Sequence, residues 1–203
     1  MVALLAAGAP SGAASADDIA RGEALFGLCA QCHGPEGAGN QEFLAPAIAG
    51  LTPWYLERQL SNFKLGLRGL HFDDVAGMRM APMARTLRSD DDVRAVVAYV
   101  ASLPAARPAP VLSGGDPEKG KTYFEVCKAC HGPGATGNEQ IGSPPLIHAS
   151  DWYLFTQLTN FRAGIRGTNP ADTTGIVMRP MSLTLPDEQA LKDVIAYITT
   201  LRE

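Results

Sequence analysis

Residues Arg21 to Leu103 return, landmark for landmark and without a gap, as Lys119 to Leu201, at a constant shift of 98 positions. Cys29 is matched by Cys127, Cys32 by Cys130, His33 by His131, Trp54 by Trp152, Phe63 by Phe161, Met80 by Met178 and Tyr99 by Tyr197. A period this long is a whole domain, because solenoid repeats run only about 20 to 50 residues. The chain of 203 residues therefore reads as two copies of one fold. Any group that the fold's chemistry requires should stand at equivalent positions in both.

The stretch PAARPAPVLSGG, residues 104–115, separates the copies as a proline-rich, semi-extended linker that ends in a glycine turn. It divides the chain into domain 1 at residues 17–103 and domain 2 at 116–203. Residues 1–16 read as an export signal, with an apolar core from Val2 to Ala9 and the small residues Ala14-Ser15-Ala16 before a cleavage point at Asp17. The signal lacks the usual positive leading region, so it reads as the inner part of a longer one. No apolar run reaches the eighteen or so residues of a membrane span, and the expectation is a soluble periplasmic protein, with peripheral membrane association compatible.

Three helical segments per copy follow from periodicity. The first covers about 18–32 and 116–130, the latter opening on the N-cap Asp116 with Pro117 at the first helical position. The second begins near Pro53 and Asp151, where WYLERQLSNFKLG and WYLFTQLTNFRAG return apolar residues every three or four positions. The third follows Ser89 and Asp187 and buries Val93, Val96, Val97 and Val100, or Leu191, Val194, Ile195 and Ile198. Strand-like alternation is absent, so the fold class is all-α.

The four cysteines occur only as CAQCH (29–33) and CKACH (127–131). Zinc knuckles need two CxxC pairs within about 15 to 20 residues, and these lie in separate copies. A thioredoxin-type CxxC needs a strand before it, and here the motif closes a helix. Covalent haem accounts for every position: cysteines at i and i+3 share a helical face and bond the porphyrin's two vinyl groups, while the adjacent histidine reaches the iron. Cys29, Cys32 and His33, with Cys127, Cys130 and His131, are thus the attachment sites of two covalently bound haem c groups. Thioethers consume all four thiols, which suits an oxidising compartment. A buried macrocycle would also compensate for an aromatic share of only 7%. The net charge of −4 carries no Lys/Arg run of the kind that tracks phosphates, so no nucleic acid partner is expected.

An iron held by histidine on one side needs a second ligand or an open position. Within GMRMAPMARTL (77–87), Met78 pairs with Ile176 and fails the repeat test, leaving Met80 with Met178 and Met83 with Met181. His71 and His148 pair with Asn169 and Gly50 and read as surface residues.

CxxCH, a methionine loop and a closing helix resemble the class I cytochromes c, and their tandem arrangement is similar to the dihaem cytochrome c4 family. The resemblance implies two tandem cytochrome c domains, each wrapped around one haem. It also implies a ligand methionine seven residues before the leucine that introduces the last helix; Leu87 and Leu185 fill that place and select Met80 and Met178 as the metal ligands beside His33 and His131. Pro46 and Pro144 match the proline whose carbonyl accepts the histidine Nδ1 proton. Trp54, Phe63, Trp152 and Phe161 are expected to pack on the porphyrin, and Arg68 and Arg166 to meet haem propionates at the domain interface.

His/Met ligation leaves little room for substrate at the metal, so the expected role is one-electron transfer in a respiratory chain and not catalysis. The redox partners expected are a membrane quinol-oxidising complex as donor and a terminal oxidase as acceptor. The alternatives are a cytochrome subunit of such an assembly, or a dihaem enzyme such as a peroxidase or a thiosulfate-oxidising dehydrogenase.

Overall fold

A computed structural model describes residues 14–202. Most of the expected export signal lies outside the described residues. Among the described residues each copy contains four helices: α1 (Ala16–His33), α2 (Pro53–Lys64), α3 (Val75–Arg85) and α4 (Asp90–Ser102), then α5 (Pro117–His131), α6 (Asp151–Arg162), α7 (Gly175–Ser182) and α8 (Glu188–Thr200), with a 3-10 turn at Glu139–Ile141. Among the described residues there is no strand; the only bridges are isolated, Asn40 with Ala45 and Asn138 with Ser143. No helix among them is long and apolar enough to cross a membrane.

The helix starts follow the capping chemistry. Ser15 and Asp18 form a capping box on α1, and Ser89 and Asp92 form another on α4. Asp116 accepts from the backbone of Glu118 and Lys119 at the head of α5, and Asp187 accepts from Ala190 on α8. Helices α1 and α5 end at Gly34 and Gly132, whose φ values of 76° and 79° are tolerated without a Cβ.

In each copy the first and last helices cross at closest approach on a glycine. A Cβ at Gly22 would run into the Ala95 carbonyl and sit 2.8 Å from the Tyr99 Cβ. One at Gly120 would meet the Asp193 carbonyl and the Tyr197 Cβ at 2.9 Å. The crossings bury Phe26 against Val93, Val96, Val97 and Val100, and Phe124 against Leu191, Val194, Ile195 and Ile198.

Two features differ from the sequence expectations. The methionine segment is helical, α3 and α7, although Pro82 and Pro180 stand inside these helices. An interior proline removes one ladder bond and reads locally as a breaker, but Asp74 caps α3 by accepting from Gly77 N–H at 3.0 Å, and Ala81 and Ala84 are buried against Phe63. The linker is also held down. Asp151 accepts from Val111 and Leu112 N–H at 2.7 and 2.6 Å, Ala106 N–H donates to the Ala49 carbonyl at 3.1 Å, and Arg202 donates to the carbonyls of Pro108 and Ala149. Proline supplies stiffness and long-range hydrogen bonds supply the anchoring, so the segment follows a set course between the copies.

Candidate functional site

The CxxCH motifs close α1 and α5, and the chain then turns back over its own histidine. His33 Nδ1 lies 2.8 Å from the Pro46 carbonyl and His131 Nδ1 lies 2.8 Å from that of Pro144. A proton on Nδ1 makes this bond and leaves Nε2 with its lone pair, the form that binds a metal. Burial lowers the pKa of both histidines, which keeps the rings neutral. The loop can come this close because residues 39 and 137 lack side chains. A Cβ at Gly39 would stand 2.6 Å from the Pro46 carbonyl carbon, and one at Gly137 would stand 2.7 Å from that of Pro144.

The thiols are not set up for redox or zinc chemistry. Burial raises the Cys29 thiol and pushes Cys127 up to about 11, whereas reactive CxxC sites depress the pKa. Cys32 and Cys130 are exposed.

In copy 1 these groups face one open cavity of about 200 Å³. Cys29, Cys32, His33, Pro46, Phe63, Met80 and Met83 all line it. Both surviving methionines therefore reach the cavity; Met80 also packs with Phe63, Ala81 and Ala84. Met78, which fails the repeat test, is 40% exposed and lies on the surface. The partners of Met80 and Met83 in the second copy, Met178 and Met181, are half-buried in α7. An apolar cavity with two cysteines at one edge, a neutral histidine with a free Nε2 and a thioether fits a covalent haem.

Phe63 lines the cavity as expected, whereas Trp54 does not. Trp54 stands edge-on to Tyr55 at 5.8 Å under the Arg58 guanidinium, and Trp152 stands edge-on to Tyr153 at 6.0 Å. The ring at the cavity is the next residue, Tyr55, one step round the helix. His71 stacks on Phe72 at 4.8 Å. His148 sits at the seam between copies, with Nδ1 3.4 Å from the Ala106 carbonyl and its ring where a Cβ on Gly50 would fall.

Arg68 and Arg166 stand at the interface between the copies, as the sequence led one to expect, but sequence reasoning missed the glutamines and the tyrosine they meet there. Arg68 donates to Gln59 Oε1 at 2.8 Å in its own copy, and to Gln157 Oε1 at 3.0 Å and Tyr153 Oη at 2.7 Å in the other. Arg166 donates to Gln157 Oε1 at 2.6 Å and to Gln59 Oε1 at 3.0 Å. Each glutamine oxygen thus accepts from both arginines, the reciprocity of a local two-fold contact. The guanidiniums lie over Phe63 and Phe161, 4.6 and 4.7 Å from the ring centroids. Arg68, Gln59, Tyr55, Tyr153 and Gln157 also line the copy 1 cavity, so this cavity extends to the interface. The signal was available, since glutamine and tyrosine repeat at the 98-residue offset.

Comparison with known proteins gives one consistent result. The cytochrome c family model matches residues 19–104 and again 117–202. Cytochrome c4 of Azotobacter vinelandii is 30% identical over 98% of this chain and 96% of its own length. A thiosulfate dehydrogenase electron acceptor of Stutzerimonas stutzeri is 32% identical over 76% of this chain and 72% of its own. The crystal structure of reduced cytochrome c4 from Pseudomonas stutzeri superposes with a TM-score of 0.69 at 28% identity, covering 89% of this chain and 96% of that one.

Proposed function

Because the chain belongs to the cytochrome c family, as a dihaem electron-transfer protein similar to cytochrome c4 with two covalent haem c groups at Cys29/Cys32 and Cys127/Cys130, we propose that it is a periplasmic carrier that shuttles single electrons in a respiratory chain. Residues 17–103 and 116–203 are its two haem domains and residues 1–16 its export signal. Each haem supplies one-electron exchange at its iron. The protein's part is to hold the metal's environment constant while the charge changes.

The observation that carries this reading is the repetition of the whole constellation. Both copies place a buried, neutral histidine on a proline carbonyl at the same 2.8 Å and carry a methionine-bearing helix at the matching offset. We assign His33 with Met80, and His131 with Met178, as the axial pairs. A thioether favours the reduced state, and two fixed ligands exclude substrate from the metal. Two saturated sites make a relay; a catalyst would keep one open. Phe43 and Leu44 are exposed apolar residues lining the mouth of the copy 1 cavity. They supply a small contact suited to brief docking.

We place a quinol-oxidising complex as donor and a terminal oxidase as acceptor. The similarity to a thiosulfate dehydrogenase electron acceptor favours a second reading, in which the donor is an enzyme that oxidises a small sulfur compound and this chain only receives the electrons. A redox titration of the purified holoprotein, followed by optical and magnetic spectra, tests the carrier reading: two one-electron waves and two low-spin His/Met haems are expected. Rapid binding of cyanide to one oxidised haem would instead place an open iron in the chain and favour a catalyst. Stopped-flow reduction by each candidate donor then separates the two readings.

A further inference from the structure

The loop that joins α2 to α3 in copy 1 turns its apolar side chains to water. Leu65, Leu70 and Phe72 are 73%, 63% and 75% exposed, more than any other large apolar side chain among the described residues. The loop is fixed against its surroundings. A Cβ on Gly69 would meet the Gly77 carbonyl, and one on Gly66 would stand 2.9 Å from Leu70 Cδ1 and 3.9 Å from an Arg85 terminal nitrogen. The Phe72 ring stacks on His71 at 4.8 Å, while the Asp73 and Asp74 N–H groups donate back to His71 Nδ1 and to its carbonyl at 3.2 and 2.9 Å. Val75 and Met78, one turn apart on α3, are exposed as well. Single apolar residues on a surface are ordinary, but a contiguous, ordered patch marks a contact.

Cations flank this patch. Arg79 and Arg85 are exposed; Arg79 Nη1 donates to the Phe43 carbonyl at 3.3 Å and Arg85 Nε to the Lys64 carbonyl at 3.4 Å. Neutral backbone acceptors hold the guanidiniums without cancelling their charge, and Arg79, Arg85 and Lys64 take part in none of the ion pairs among the described residues. The exposed carboxylate of the loop itself is Asp73, 3.8 Å from His71 Nδ1. The whole chain carries a net charge of −4, so a partner rich in carboxylates is repelled by the molecule at large and drawn to this face, which orients it. The copies, alike at the haem site, differ here. Leu65, Leu70 and Phe72 give way to Ala163, Thr168 and Pro170, and Arg79 and Arg85 to Val177 and Leu183. Arg162, in the place of Lys64, donates to the carbonyls of Ser182 and Leu185. A need of packing or of haem binding would be repeated in both copies; a feature of one copy serves something that only this copy meets.

We propose that this outer face of copy 1 is the docking surface for a redox partner protein whose contact face is apolar with a rim of carboxylates, and that copy 2 offers that partner no equivalent. The proposal rests on the carrier reading and assigns one of its partners to one copy. Arg79 lines the copy 1 cavity and binds the carbonyl of Phe43, another residue of its lining, so a partner seated on this face lies beside the cavity. One electron then passes between the iron of copy 1 and the partner's own redox centre, one being oxidised as the other is reduced. Leu65, Leu70 and Phe72 lie outside the cavity lining and serve contact alone. A protein fits this face and a lipid surface does not: an anionic bilayer would set its phosphates against Asp73, next to the most exposed ring, whereas a folded partner places its carboxylates opposite Arg79 and Arg85 and leaves Asp73 at a wet, polar rim.

The test gives copy 1 the residues that copy 2 carries at the same places in the same fold. Two variants of the full-length holoprotein, Leu70→Thr with Phe72→Pro and Arg79→Val with Arg85→Leu, are compared with the wild type for electron exchange with each purified partner proposed above: the quinol-oxidising complex, the terminal oxidase and the enzyme that oxidises a small sulfur compound. A wild type that exchanges electrons with none of them sinks the carrier reading, and the proposal with it. Where the wild type does exchange, each variant is expected to lower kcat/KM with one partner by at least about tenfold. The wild-type rate with that partner should fall as salt is added, and the rate of the arginine variant should not. Unchanged exchange in both variants overturns the docking surface while leaving the carrier reading intact. Should Phe72→Pro fail to fold, Phe72→Ser takes its place. Wild-type binding to phosphatidylglycerol vesicles that the variants lose would overturn the protein partner in favour of a membrane, and a wild-type dimer that the variants dissolve would overturn it in favour of a second copy of this chain.

Discussion

Gly39→Ala tests the link between backbone geometry and haem potential. Gly39 has φ of 86° and its N–H donates to the His33 carbonyl at 2.8 Å. An alanine pays about 1–2 kcal/mol for the left-handed conformation. Its Cβ would also stand 2.6 Å from the Pro46 carbonyl carbon, where carbon atoms settle at about 3.5 Å. The proline segment must retreat by about 0.9 Å, and if that movement passes into the bond, His33 Nδ1 to Pro46 O grows from 2.8 Å to about 3.7 Å, past hydrogen-bonding reach. Loss of a neutral hydrogen bond costs about 1 kcal/mol, so copy 1 should lose about 2–3 kcal/mol in all.

The same change weakens the histidine as an electron donor to the iron and makes the ferric state less favourable. One potential should rise, by at most about 40 mV if the whole 1 kcal/mol is felt by the ferric state alone. The assay is denaturant unfolding beside a redox titration, with Gly137→Ala as the mirror variant, whose Cβ would lie 2.7 Å from the Pro144 carbonyl carbon. Each variant should move a different wave. A lowered unfolding midpoint with both potentials unchanged would refute the tuning role of the proline carbonyl. Both variants moving the same wave would refute one such histidine per haem.

Met80→Ala should abolish the methionine-to-ferric-iron charge-transfer band of one haem while Met83→Ala keeps it, with Met178→Ala and Met181→Ala behaving alike for the other; the reverse outcome moves the ligand three residues along. Asp92 titrates at about 2, held down by the Arg21 guanidinium and by the Ser89 and Arg88 N–H groups. A depressed carboxylate stabilises the fold above its unfolded value of 3.8 and loses that contribution as pH falls toward 2. Urea midpoints measured across that window should therefore fall in the wild type and flatten in Asp92→Asn. Asp151→Ala frees two linker N–H groups and should cost about 1–3 kcal/mol, seen as faster proteolysis within residues 104–115; unchanged cleavage would show that Arg202 suffices to hold the linker.

The attachment motifs and helix caps were legible because their chemistry is local. CAQCH and CKACH place all their functional groups within five residues, and Ser89, Asp116 and Asp187 cap helices through N–H groups two or three positions away. The methionine helices were not legible for the same reason: Pro82 and Pro180 argue locally against a helix, and what outweighs them is burial of Ala81 and Ala84 against Phe63, about twenty residues upstream. Trp54 and Tyr55 show the limit of periodicity. A helical pattern identifies an apolar face to within a residue or so, and which of two adjacent rings meets the cavity depends on how the helix is rotated in its packing.

By itself the sequence determined two equivalent domains, two covalent haems, an all-α fold and a short set of axial candidates, since repetition at a constant offset filters residues without any knowledge of their positions in space. That same offset says which residues correspond and nothing about which residues touch. Only the tertiary structure decided that Arg68 meets Gln157 and Tyr153, 89 and 85 positions away, and that two buried guanidiniums share the same pair of glutamines. Those contacts bring side chains from the second helix of each copy to the arginine that follows the second helix of the other, a relation between distant segments that a repeat offset does not encode.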